Sequence, residues 1–160
     1  MLDLIELTRD ECEVLLRTGL VGRVAFTTPT GPHIVPVNYA VIDDAIVIRT
    51  SPYSLLGTHG RDSVLAFEVD LVDYSQQHGW SVTSRGRATA VSDPDARKRI
   101  RDAWQPRPWA VGARTTLLSI AIGELSGRQL GEGWNALAAM EFRRTPPPPS
   151  SDAIQVVAGP

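Results

Sequence analysis

The chain is poor in the residues that build metal centres and crosslinks. It has one cysteine, Cys12, which excludes an internal disulfide framework and a cysteine zinc site. Its three histidines, His33, His59 and His78, have no metal-like spacing to one another or to Cys12, and no metal is expected. P-loop, GxGxxG, HExxH and GxSxG patterns are missing, so neither a hydrolase nor a metalloenzyme has support. No apolar run approaches the roughly 20 residues of a membrane span. Acidic Asp3 and Glu6 stand where a secretory leader would be basic and then apolar, so a cytoplasmic protein is expected. The net charge of -2 leaves no electrostatic footprint for nucleic acid. Arg97-Lys98-Arg99 with Arg101 is the one basic block, and it reads as the solvated side of a helix.

What is present is ordinary globular composition: 160 residues, 42% hydrophobic and 21% charged. That is one domain with a real core. A first helix opens at Thr8, which forms a capping box with Glu11. Cys12, Leu15 and Leu16 share its apolar face, so Cys12 is expected in the core, and Gly19 is expected to supply a left-handed stop. Strands are expected at 22–28, 33–42, 45–50, 63–71, 80–91 and 115–127, with "PTGP" and "DD" as turns. Pro36 marks a bulge or an edge, and Gly86 a bend that lets a sheet close. One or two helical turns fit 52–60, and a helix fits 92–104, capped by Asp93 with Pro94 in its first turn. Its apolar face is Ala96, Ile100, Ala103 and Trp104. The fold class is mainly β, a small antiparallel barrel with a few short helices. The folded domain is expected over 1–143. Residues 144–160, with "TPPPPSS", read as a flexible Pro-rich tail.

Two polar features interrupt the apolar pattern. Glu68 and Asp70 share one face of a strand, near Asp73, and a solvated sheet face or a pair with Arg85 or Arg87 is the preferred account of them. The other is "RTSPYS", residues 49–54. An arginine fork, several hydroxyls and the start of a short helix are together able to hold a phosphate; a plain strand terminus is the alternative.

The stretches "LxxxECxxLL", "GRVAF", "PHIVPVNY", "IVIRT", "LAFEVD", "GWSVTSRGRA" and "RPWAVGAR…SGRQL" resemble, in order and spacing, the pyridoxamine 5′-phosphate oxidase-related flavin-binding split-barrel proteins, over about residues 4–130. The similarity is to their actinobacterial-type branch. It implies a split antiparallel β-barrel, a homodimer with two FMN sites at the subunit interface, and a flavin-dependent oxidoreductase acting on an unspecified small molecule. By position it assigns Arg49 and Thr50 to the flavin phosphate, with Ser54 in the turn beyond. Pro36, Val37 and Asn38 would run along the isoalloxazine ring, Trp80 and Ser81 would lie near it, and Trp109 would reach the partner's pocket. Both tryptophans also fit as plain core or interface aromatics. Relatives often carry a lysine just after the serine or threonine of the phosphate turn; Leu55 stands there. That departure opens two alternatives, a deazaflavin cofactor and a non-catalytic ligand-sensing barrel. A haem-binding barrel is a further one and would need His33 or His78 as axial ligand. No catalytic side chain is assigned.

Overall fold

The computed structural model describes residues 5–104 and 114–138. The expected tail and Trp109 lie outside the described residues.

A two-residue strand β1 (Ile5–Glu6) precedes helix α1 (Arg9–Leu16). The capping box forms as expected. Glu11 N–H donates to the Thr8 hydroxyl, and Thr8 N–H donates to the Glu11 carboxylate at 2.8 Å. The backbone bond from Thr8 holds the Glu11 carboxyl below its ordinary value. Cys12, Leu15 and Leu16 are buried, and burial pushes the Cys12 thiol up, so Cys12 is a core residue. Gly19 does not act as a left-handed stop, since the helix ends at Arg17 in right-handed conformation. Its hydrogen side chain instead leaves room for Tyr39, whose hydroxyl an added Cβ would strike. That hydroxyl donates to the Leu16 carbonyl at 2.6 Å and ties α1 to the sheet.

Strands β2 (Val21–Thr28), β3 (Gly31–Ile42) and β4 (Ala45–Thr50) form an antiparallel meander. Asp43 and Asp44 turn β3 into β4 with φ of 50° and 57°, values that short polar side chains tolerate and that match the twist of a two-residue hairpin. Helix α2 (Leu55–His59) follows, shorter than the 52–60 segment expected, then β5 (Val64–Asp73) and β6 (His78–Ala90). Helix α3 (Pro94–Ala103) has the expected cap, with Ala96 N–H donating to Asp93 at 2.7 Å.

The last expected strand, 115–127, is two: β7 (Thr116–Ala121) and β8 (Glu124–Leu130). They serve different neighbours. β8 pairs with β6 over residues 79–85 of the latter, and β7 pairs with residues 88–90. Gly86 stands at the change of partner, where an added Cβ would meet the Ala121 carbonyl oxygen, so the bend expected at Gly86 is the corner of the barrel. The strand order β6-β5-β2-β3-β4-β7 closes through β6–β7 into a six-stranded antiparallel barrel, with β8 and β1 extending it beside β6. Pro36 lies in regular register with Arg23 of β2. β4 reaches only residues 39–42 of β3, so Pro36 interrupts no ladder there, as an edge position requires.

The barrel interior is filled by Val24, Tyr39, Ile48, Phe67, Val82 and Ile120 among others, with Tyr39 edge-on to Phe67 at 4.6 Å between ring centres. A second, smaller cluster lies outside the barrel, where Ile100 of α3 packs on Val47 and Leu117.

Candidate functional site

Strand alternation sorts the candidate residues onto two sides of the sheet. In β4, Ile46 and Ile48 point inward and Thr50 is buried, which leaves Arg49 outside and exposed. In β3, Val37 and Tyr39 are buried, so Pro36 and Asn38 face outward. Tyr39 pairs with Ile48, so Asn38 and Arg49 follow one step on, both on the outer surface. In β6, Trp80 is 2% exposed and packs in the barrel core, which makes it a core aromatic; Ser81 takes the outward position. Pro36, Asn38, Arg49 and Ser81 therefore all face outward, with Pro36, Asn38 and Arg49 on the neighbouring strands β3 and β4 and Ser81 apart on β6, while the side chains of Val37, Thr50 and Trp80 point inward.

The turn after Arg49 is built by its own hydroxyls. Ser54 Oγ donates to the Ser51 carbonyl at 2.8 Å and accepts from Gly57 N–H at 3.0 Å, as N-cap of α2. Its one proton is thereby engaged, so Thr50 is the donor in the 2.8 Å contact between Thr50 Oγ1 and Ser54 Oγ. Thr50 and Ser54 thus shape the turn. Arg49 is the group left over: it makes no hydrogen bond or ion pair with the described residues. Leu55, first residue of α2, is 53% exposed.

A second polar group lies on the same outer surface. Arg23 of β2 pairs across to Pro36 on one side and to Glu68 on the other. Its Nη1 donates to Glu68 Oε2 and to Asp70 Oδ1, each at 2.9 Å. This corrects the expected pairing of the carboxylates with Arg85 or Arg87. Arg85 pairs with Glu124, and Arg87 donates to the Asp62 carbonyl at 2.7 Å. The barrel sets β2 beside β5, and sequence order alone does not bring residue 23 to residue 68. Burial raises the Glu68 pKa, against the lowering effect of the Arg23 hydrogen bond. The bonds to Asp70 and Glu68 in turn raise that of Arg23.

Several other polar side chains have structural partners. His33 stacks on Phe26 with its Nε2 at 3.1 Å from Thr28 Oγ1, and His78 stacks on Trp134 at 4.2 Å with its Nε2 at 2.8 Å from Gln76 Oε1. Each Nε2 that haem ligation would use is engaged. Arg97 donates to the carbonyls of Val91 and Thr115, and Lys98 pairs with Asp102 at 2.6 Å. Among the described residues no group of three or more His, Cys, Asp or Glu is placed to hold a metal ion, and no helix is long and apolar enough to cross a membrane.

A closed six-stranded barrel with strands added beside its longest member defines the class: the split-barrel fold of flavin-binding proteins. The family model described as pyridoxamine 5′-phosphate oxidase matches residues 8–129, and the chain belongs to that family. The uncharacterised protein Rv0080 of Mycobacterium tuberculosis is 37% identical over 123 residues, 74% of this chain and 80% of that one. The FAD-binding protein of Mycobacterium smegmatis superposes with a TM-score of 0.67 at 27% identity, covering 78% of this chain and 97% of its own. A FAD-binding protein of Mesorhizobium loti has the same fold at 22% identity, with a TM-score of 0.67 over 82% of this chain and 100% of its own.

Proposed function

We propose that this chain is an FMN-dependent oxidoreductase that works as a homodimer on a small molecule. The observation that carries this is Arg49: an exposed guanidinium without a side-chain partner among the described residues, at the rim of a tight turn, on the outer side of the β3–β4 pair with Pro36 and Asn38. A guanidinium fork in that state suits a phosphate. The names of the relatives support a flavin, because two of the solved structures are of FAD-binding proteins. A bound flavin would supply the hydride or electron transfer. The chain's own residues would hold and orient it, with Arg49 at the phosphate and Pro36 and Asn38 along the ring. Ile34 and Val64, 70% and 63% exposed on this surface, support the homodimer, since a second copy would cover them.

The test is isothermal titration of wild type, Arg49→Ala and Leu55→Lys with FMN and with riboflavin, which has the ring but no phosphate. Arg49→Ala is expected to weaken FMN by about 1.5–3 kcal/mol, about ten- to hundred-fold, and to leave riboflavin nearly unchanged. Leu55→Lys is expected to tighten FMN selectively, because the ammonium meets the phosphate alone. Equal loss of both ligands in Arg49→Ala would mean that Arg49 supports the fold instead. The exposed Leu55 favours a second reading, a deazaflavin cofactor. Binding of FMN by Leu55→Lys but not by wild type would select it.

A further inference from the structure

Helix α3 comes down on the sheet beside Arg49. On β4, Val47 and Arg49 are successive outward positions, and on β7 Leu117 pairs directly with Arg49. Ile100 of α3 packs on Val47 and Leu117, and Trp104, the C-cap of the helix, lies partly buried against the same cluster. Arg97 carries the closure further along β7. Its Nη1 donates to the Val91 carbonyl at 2.9 Å and its Nη2 to the Thr115 carbonyl at 3.1 Å. Thr115 precedes Thr116, which pairs with Thr50, the residue after Arg49. The β7 side of Arg49 is therefore covered both at its own level, by the cluster on Leu117, and one step beyond it, by the Arg97 side chain. The turn 51–54, closed by its own hydroxyls, bounds the end of the strand. Toward β3, where Asn38 and Pro36 face outward, no described helix lies over the sheet.

A ligand held by Arg49 thus has its free path toward β3. A phosphate monoester has one substituent and needs one path. A phosphodiester has two, and its second would have to unpack Trp104 and Ile100 or break the Arg97 bonds. Charge points the same way. A monoester carries about −1.5 to −2 at pH 7, against about −1 for a diester. Arg97 brings a second guanidinium to the strand next to Arg49, and two cations suit the more highly charged ester.

We propose that α3 makes the Arg49 subsite a dead end, in which Arg97 and Trp104 restrict it to a terminal phosphate monoester and turn away ligands that continue beyond the phosphate. This rests on the flavin reading above, with Arg49 at the phosphate, and selects the mononucleotide over the dinucleotide. It sets this chain apart from the FAD-binding proteins that share its fold.

The test is isothermal titration of wild type, Trp104→Ala and Arg97→Gln with FMN and FAD, with riboflavin as the reference for the ring alone. Wild type is expected to bind FMN at least about tenfold more tightly than FAD, because admitting the second half of the dinucleotide would unpack an indole. Trp104→Ala is expected to bring FAD to within about threefold of FMN, a change of ratio that mere support of the fold would not produce. Arg97→Gln, which cannot span both carbonyls, is expected to narrow the ratio in the same direction. Trp104→Val keeps an aliphatic group on the cluster and carries the expectation of Trp104→Ala should that variant fail to fold. If wild type binds FAD as tightly as FMN, or if the ratio is unchanged in both the Trp104 and the Arg97 variants, this inference falls and the flavin reading stands. If wild type binds no flavin, both fall.

Discussion

The barrel has two outer surfaces, and the chain treats them differently. Over β4 and β7 it lays α3, whose Ile100 is only 6% exposed against Val47 and Leu117. Over β3, β2 and β5 nothing among the described residues covers Ile34 and Val64, which lie beside the small side chains of Ala25 and Ala66. Both surfaces come from the same alternation, inward apolar and outward mixed. What differs is the covering: Val47 and Leu117 lie under Ile100, whereas Ile34 and Val64 stand open among small residues and a clamped arginine. A flat, partly polar face that a monomer leaves open is the kind that another molecule occupies.

The contrast can be broken at either side. Ile100→Ala should cost the largest amount, about 2–4 kcal/mol of unfolding free energy, by the usual range for a buried isoleucine truncation. Urea denaturation checks it, and a loss below about 0.5 kcal/mol would show that α3 is held by its caps and not by this contact. Ser84, fully buried on the inner side of β6, has a hydroxyl without a partner among the described residues. Ser84→Ala should therefore gain about 1 kcal/mol in the same assay by removing an unsatisfied polar group. Ile34→Glu on the open face should change unfolding by less than about 0.5 kcal/mol, yet abolish self-association in light scattering. A dimer that survives this change would move the interface elsewhere.

The smallest effect is a pH dependence. The folded Glu68 pKa is raised above its ordinary 4.5. Its favourable contribution is therefore complete below that value and is lost as pH rises through the folded pKa. Glu11 has the opposite sign: its lowered pKa gives stability present above 4.5 and lost as pH falls through the folded value. Melting temperatures of wild type and Glu68→Gln should diverge in favour of the variant as pH rises from about 4 to about 7, where only the carboxylate becomes charged. Parallel curves would show that the Arg23 bond cancels the burial.

Much of this molecule is legible without coordinates where the information is local. The Thr8–Glu11 box, the Asp93 cap and the limits of β4 need only neighbours in sequence. Gly86 is legible as a bend because glycine in a long strand has few other uses. The division of 115–127 into β7 and β8 is not, since the apolar pattern runs on through Ile122 while the partner strand changes. Gly19 misleads for a related reason: its role is set by Tyr39, twenty residues on. At the site, the Arg49 turn is local and was visible as a candidate. The Arg23 clamp depends on β2 lying beside β5, and its only sequence signal is two carboxylates on one strand face awaiting a cation.

The seam at Gly86 also orders events during synthesis. β7 pairs with β4 and with the end of β6, so a growing chain that has not yet emitted residues 116–121 presents both of those strands as bare edges. The apolar strand Ala45–Thr50 is then a template for pairing with another nascent copy. Closure joins residues 45–50 to 116–121, a long loop that folds slowly compared with the hairpins before it. On crowded ribosomes the interval before β7 emerges is thus the period of greatest exposure to aggregation, and a holdase that shields β4 would act at that step.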